Sequence, residues 1–140
     1  MNNIVICRLR FPNDPSGNTR PHQFYVDQID SHHLLLYSVS SIAGKERRVF
    51  GPNSSDYFLI EEPESSYEGF KKPSFINCTT AFDVNISSLN VEGLKSREIS
   101  GKMVSQLIKK IQQIRQQGRL NIYPVSEQSF ARLNKEVTWL

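Results

Sequence analysis

Gly17-Asn18-Thr19-Arg20-Pro21-His22 closes a loop behind one apolar run and feeds directly into a second, Gln23-Phe24-Tyr25-Val26. Proline fixes its own φ and pushes the residue before it toward extended geometry. Arg20 therefore stands at the head of a strand, not at the end of a helix. A guanidinium presented there suits a phosphate or a carboxylate, because its planar fork donates two parallel hydrogen bonds. The plainer alternative is a surface ion pair, which is common.

Outward from this junction the pattern is mostly short strands. Ile4 to Arg10 alternates as a first strand ended by Phe11-Pro12, and Asn13 to Asn18 is dense in turn formers. Gln23 to Ile29 reads as a second strand and His33 to Val39 as a third, joined through Asp30-Ser31 as a hairpin. Ser40 to Lys45 is a polar exit loop. Arg47 to Phe50 fits a short edge strand, and Tyr57 to Ile60 and Ser74 to Thr80 are clearer strands. Between these two, Glu61 to Lys72 reads as an acidic loop, and Asp83 to Leu94 allows one helical turn around Ile86 to Leu89. The clearest element follows. Ser100 caps a helix whose face is Met103, Val104, Leu107, Ile108, Ile111 and Ile114, and Gly118 stops it. Pro124-Val125-Ser126 then leads into a shorter amphipathic helix with Phe130, Leu133, Val137 and Leu140 on one side. The expectation is one α+β domain over residues 1–140, a small curled sheet or barrel with helices outside, with 119–140 as a C-terminal helical extension.

Composition narrows the function classes. The 140 residues carry a net charge of +3, too mild by itself to indicate nucleic acid. The charge is segregated, however: Asp56, Glu61, Glu62, Glu64 and Glu68 form an acidic run, whereas Lys45, Arg47 and Arg48 cluster after the third strand. A second basic run, Lys95 to Arg119, reads as a solvated helix face. No apolar run approaches a membrane span, and Ile4-Val5-Ile6 reads as a strand rather than a targeting segment. Cys7 and Cys78 are expected as reduced thiols, with Cys78 a small core residue and the compartment cytoplasmic. His22, His32 and His33 show no metal-ligand spacing with them, so neither a metal nor another cofactor is expected. No phosphate-cradling glycine motif or nucleophile–histidine arrangement is present.

Two polar strand ends remain. In an antiparallel pair the start of one strand lies beside the end of the next, so Arg20 and Ser40 should approach each other, with His22, Ser41 and Lys45 on the same patch. Such a patch suits phosphodiester chemistry. The cations neutralise charge building on a pentacoordinate phosphate, hydroxyls donate to its oxygens, and the RNA 2′-OH supplies the nucleophile. The alternative is a passive anion-binding patch. His22 either shuttles a proton or faces solvent, and His32-His33 belongs to the hairpin turn.

Arg10-Phe11-Pro12, the loop at Ser16-Gly17, Thr19-Arg20-Pro21 heading a strand, and Leu36-Tyr37-Ser38-Val39-Ser40-Ser41 together resemble the PemK/MazF toxins of bacterial toxin–antitoxin systems. Lys71 to Cys78 with Phe82-Asp83, and the helix from Gly101, extend the likeness over roughly residues 4–117. The resemblance implies a small SH3-like antiparallel barrel with a long C-terminal helix and a further short helix. It also implies a homodimer, a protein or RNA antitoxin as partner, and metal-independent cleavage of single-stranded RNA. On that pattern Arg20 and Ser40, with Ser41 as a one-residue alternative, are the catalytic candidates, and the residue chemistry adds His22 to them. Thr19, Lys45, Arg47 and Arg48 would hold RNA. Phe75 and Asn77 stand where some members carry an arginine and an acid, and Thr80 where many carry another arginine. Related toxins neutralised by RNA use a lysine and a hydroxyl near the third strand, a version that Ser40 with Lys45 suits. The alternative reading is an inactive barrel that binds nucleic acid or a protein partner.

Overall fold

The structure, a computed structural model of the chain, describes residues 2–12, 14, 16, 17 and 19–140, with the backbone alone at positions 28 and 29. The predicted loop over 13–18 is thus described only at Asp14, Ser16 and Gly17; its other residues lie outside the described set. Strand β1 (Ile4–Cys7) pairs antiparallel with β2 (His22–Ile29), and β2 with β3 (His33–Ser41). The turn between β2 and β3 is closed by Asp30, whose Oδ1 accepts from the backbone N–H of His32 and of His33, each at 2.7 Å. That local acceptor makes the hairpin short.

Strand β3 is the spine of the sheet. Along the edge away from β2 its first half pairs with β6 (Thr80–Asn85) and its end with β5 (Ser74–Asn77). The expected single strand Ser74 to Thr80 is therefore broken at Cys78-Thr79 and resumes in a new register. Strand β4 (Tyr57–Ile60) extends the sheet beyond β5, whereas β9 (Asn121–Val125) runs parallel to β6. At the other end β8 (Ser96–Arg97) pairs with β1, and β7 (Leu89–Asn90) with β10 (Thr138–Trp139) makes a separate two-stranded ladder. The result is an α+β fold, mostly antiparallel, with an open sheet ordered β4-β5-β3-β2-β1-β8 and branching at β6 and β9.

The period of two sorts the side chains onto two faces. Ile4, Tyr25, Tyr37, Val39 and Ile76 face helix α3 (Gly101–Gln116), which buries Met103, Leu107, Ile111 and Ile114 against them. Ser100 caps α3 as expected, its Oγ accepting from the Met103 N–H at 3.1 Å. On the opposite face Val5, Phe24, Leu36, Phe82 and Val84 pack against Leu89, Leu94 and Phe130 of the C-terminal half. Both cysteines are buried and free, and burial pushes each thiol up to about 12, as expected of core residues.

Several expectations need correction. Residues 47–50 are not a strand: helix α1 (Glu46–Val49) forms there, with Val49 N–H donating to the Lys45 carbonyl at 3.0 Å. A single turn buries Val49 while leaving Arg47 and Arg48 outside. The acidic loop contains a helical turn, α2 (Glu64–Tyr67), and residues 86–89 form no helix because β6 runs on to Asn85 and turns into β7. The 119–140 segment is not a helical extension: it supplies β9, then α4 (Glu127–Leu133), then β10. Pro124 is tolerated in β9 because that strand pairs on one side only, leaving the missing N–H without a ladder to interrupt. Val137 and Leu140 accordingly lie beyond α4.

Asn134 fastens this segment to the sheet. It is 1% exposed, accepts the Arg8 N–H at 2.7 Å, and donates to the Arg8 and Phe130 carbonyls at 2.9 Å each. Asn134→Ala should lower unfolding stability by about 2 kcal/mol, since it strands backbone groups in a dry site. Chemical denaturation checks this, and a loss below about half a kcal/mol would mean that water replaces the amide.

Candidate functional site

The face that packs on the C-terminal half does not stay apolar along its length. Toward the end of β3 the inward positions change from Leu34 and Leu36 to Ser38 and Ser40. Registers bring matching polar residues alongside. Phe24 lies opposite Ser38, so His22 stands across from Ser40 one step on, and Phe75 opposes Ser40 from the other side. The strand break then places Asn77 and Thr80 next to Ser38.

These residues line a cleft of about 540 Å³. Its wall is a run of rings: Phe11 meets His22 edge-on at 5.4 Å and Phe82 edge-on at 5.4 Å, and Phe82 meets Tyr123 at 6.1 Å. Opposite them Lys45 and Arg48 reach in over Phe75, at 5.8 and 6.0 Å from its centroid. Arg48 is held in place, its Nε donating to the Tyr57 hydroxyl at 2.8 Å. Asp14 is the one carboxylate on the lining among the described residues. Its charge is stabilised below the usual carboxylate range by the Ser16 hydroxyl and backbone N–H. A second cleft of about 480 Å³, lined by Ile6, Pro21, Gln23, Val39, Ser41 and Ser74, lies toward the other face of the sheet. The two meet at the rim, where His22, Ser40 and Lys45 line both.

The sequence-predicted residues sort as follows. His22, Ser40 and Lys45 are brought together, with Arg48 on the first cleft and Ser41 on the second. Arg20 is exposed, stands two residues before β2 and lines neither cleft; the residue across from Ser40 is His22 instead. Arg20 still lies near enough for its charge to act on His22. Thr19 contributes backbone, its carbonyl accepting from Arg8 Nη1 at 2.6 Å, and Arg47 is exposed on α1 away from both linings. Sequence reasoning missed Ser38, which the alternation along β3 marks, and Phe82 and Tyr123 as cleft residues; Asn77 and Thr80 it singled out only as departures from the resembled pattern. Tyr123 had no signal, because the neighbouring Pro124 reads as a breaker.

Chemically the rim offers a proton acceptor, a hydroxyl and a cation, with Arg48 and further hydroxyls on the adjoining linings. Burial, then Lys45, then Arg20 lower the His22 pKa, so the ring is neutral at pH 7 and free to take a proton. Among the described residues no group of three or more His, Cys, Asp or Glu is placed to hold a metal ion, and no helix is long and apolar enough to cross a membrane. No family model, no curated protein and no solved structure matches the chain.

His22 should titrate below 6.5 by NMR, and Lys45→Ala should raise that value by removing a like charge. Because the folded pKa is depressed, the linked stability is complete above the unfolded value near 6.5 and is lost as pH falls through the folded one. A His22 that titrates at or above 6.5 would place the ring in open solvent.

Proposed function

We propose that the protein is a metal-independent endoribonuclease acting on single-stranded RNA, the toxin of a bacterial toxin–antitoxin pair. The observation that carries this reading is the meeting of His22, Ser40 and Lys45 at the rim shared by two clefts. The scissile phosphate sits there. His22 takes the proton of the adjacent 2′-OH, the 2′-oxygen bonds to phosphorus, and the P–O5′ bond breaks. Lys45 gives the leaving oxygen its proton, while Ser40 and Arg48 stabilise the charge on the phosphorane. Products are a 2′,3′-cyclic phosphate and a 5′-hydroxyl; proton exchange with solvent resets His22 and Lys45. Arg20, whose charge reaches His22, and Arg47 on α1 are both exposed and hold the approaching backbone.

The resemblance to PemK/MazF toxins supports the same reading, and on it the open, mostly antiparallel sheet and α3 are the counterparts of that family's SH3-like barrel and long helix. It brings with it a homodimer, a cognate protein or RNA antitoxin, and a cytoplasmic setting. A second reading, a non-catalytic RNA- or partner-binding domain, is favoured by one observation. Phe75 is buried beneath Lys45 and Arg48, and the Asn77 carbonyl is taken up by Thr79, so the later strand supplies no charge to the cleft.

Purified protein incubated with mixed single-stranded RNA in excess chelator should release fragments with 5′-hydroxyl ends. His22→Ala should slow this about 100-fold or more, as expected for loss of a general base. Arg20→Ala should chiefly weaken RNA binding in a salt-dependent way. Intact RNA under all conditions, with salt-sensitive binding retained, would select the second reading.

A further inference from the structure

The first cleft carries a hydrogen-bonding feature that phosphate chemistry does not need. Asn77 lines it, and its Oδ1 accepts from Thr79 twice, from the backbone N–H at 3.0 Å and from Oγ1 at 2.8 Å. A backbone N–H can only donate, so the amide cannot be turned over. Its oxygen is committed to Thr79. The Nδ2 group, with two N–H donors, has no partner among the described residues. Of the other polar groups on this lining, Lys45 and Arg48 are donors, and the Asp14 carboxylate and the neutral His22 ring can accept. The hydroxyls of Ser38, Ser40 and Thr80 can serve either way, so Asn77 Nδ2 is the uncharged donor of the set. Beside them stand Phe11 and Tyr123, both partly exposed, with Phe82 buried behind them. An aromatic face next to a rigid donor suits an unstacked base. Among the described residues the second cleft is lined by no Phe, Tyr or Trp, only by the His22 ring at the shared rim, so a base-stacking wall stands on the first cleft.

We propose that the first cleft is a base pocket selecting uracil or guanine, with Asn77 as the specificity-determining residue. These bases carry a carbonyl where cytosine and adenine carry an amino group. The carbonyl accepts from Asn77 Nδ2. An amino group at the same place would face another donor, leaving both unpaired in a partly dry site. The inference rests on the RNA reading above for its ligand, but not on cleavage.

The test uses pentanucleotides whose 2′-O-methyl groups remove the nucleophile, so that binding is read apart from chemistry. By fluorescence anisotropy the uracil pentamer should bind about tenfold more tightly than the cytosine pentamer. Asn77→Asp keeps the acceptor for Thr79 and replaces the unpartnered NH₂ with an oxygen, so the preference should reverse. Equal affinity of the unaltered protein for the two pentamers would overturn the pocket, and needs no variant to fold. An unreversed preference in a folded Asn77→Asp protein would remove Asn77 from the role. Binding of neither pentamer would overturn both the pocket and the RNA reading. A uracil preference with no cleavage of ordinary RNA would support the pocket while removing the nuclease.

Discussion

The site depends on one turn, the one that the Asn77 side chain closes over Thr79. Strand β3 runs for nine residues, and on its edge away from β2 no single partner matches it along that length. Its Tyr37 and Ser38 lie between the two registers, opposite the five residues from Asn77 to Ala81. Such an excess must bulge, and bulges leave backbone groups to be satisfied elsewhere. The Cys78 N–H donates to the Asp56 carbonyl at 3.0 Å, and the Thr79 carbonyl accepts from Asn121 at 2.8 Å. The break therefore splits the sheet, sending β4 outward from β5 and admitting β9 beside β6. The cleft opens at that fork. Without the break, a continuous strand would carry the apolar face straight to the rim.

What fills the fork is set by where charge can be held. Lys45 and Arg48 come from the exit of β3 and from α1, and the Phe75 ring beneath them gives both a platform worth about 0.5–1 kcal/mol each at an exposed site. The acidic segment is tied down elsewhere. Glu68 accepts from the Ser100 N–H and Oγ, both at 2.6 Å, placing its carboxylate at the positive end of α3. Arg97 secures the same segment, donating to the Glu68 carbonyl at 2.5 Å and lying 4.3 Å over the Phe70 ring. Gly69, at φ +82°, permits this approach, since a Cβ there would stand 3.0 Å from Arg97 Nη1. The acidic loop thus serves the helix end and leaves the rim to the cations.

Legibility in the sequence followed periodicity. The β2–β3 hairpin and α3 were readable because each repeats its period long enough to be told apart from the other, and Ser100 and Gly118 mark the helix ends. His22, Ser40 and Lys45 were readable as a group because hairpin topology forces strand start beside strand end, whereas Arg48 was readable only as part of the basic cluster after the third strand. The break at Cys78-Thr79 was not readable: Asn-Cys-Thr-Thr has neither glycine nor proline, and the turn is made by a side-chain amide that also looks at home in a strand. Arg47 to Phe50 is too short to show a period. Arg20 drew attention through Pro21, yet the residue that reaches the rim is the one after the proline, because β2 begins at His22.

The central claim is that RNA lies across the rim where the two clefts meet. Amide chemical-shift mapping of the labelled protein with a 2′-O-methyl RNA tests it most directly. The account predicts that the shifts concentrate at His22, Ser38, Ser40, Lys45, Asn77 and Thr80 and vanish at high salt. Shifts centred on Glu64 to Glu68 or along the exposed side of α3, with the rim unmoved, would contradict it.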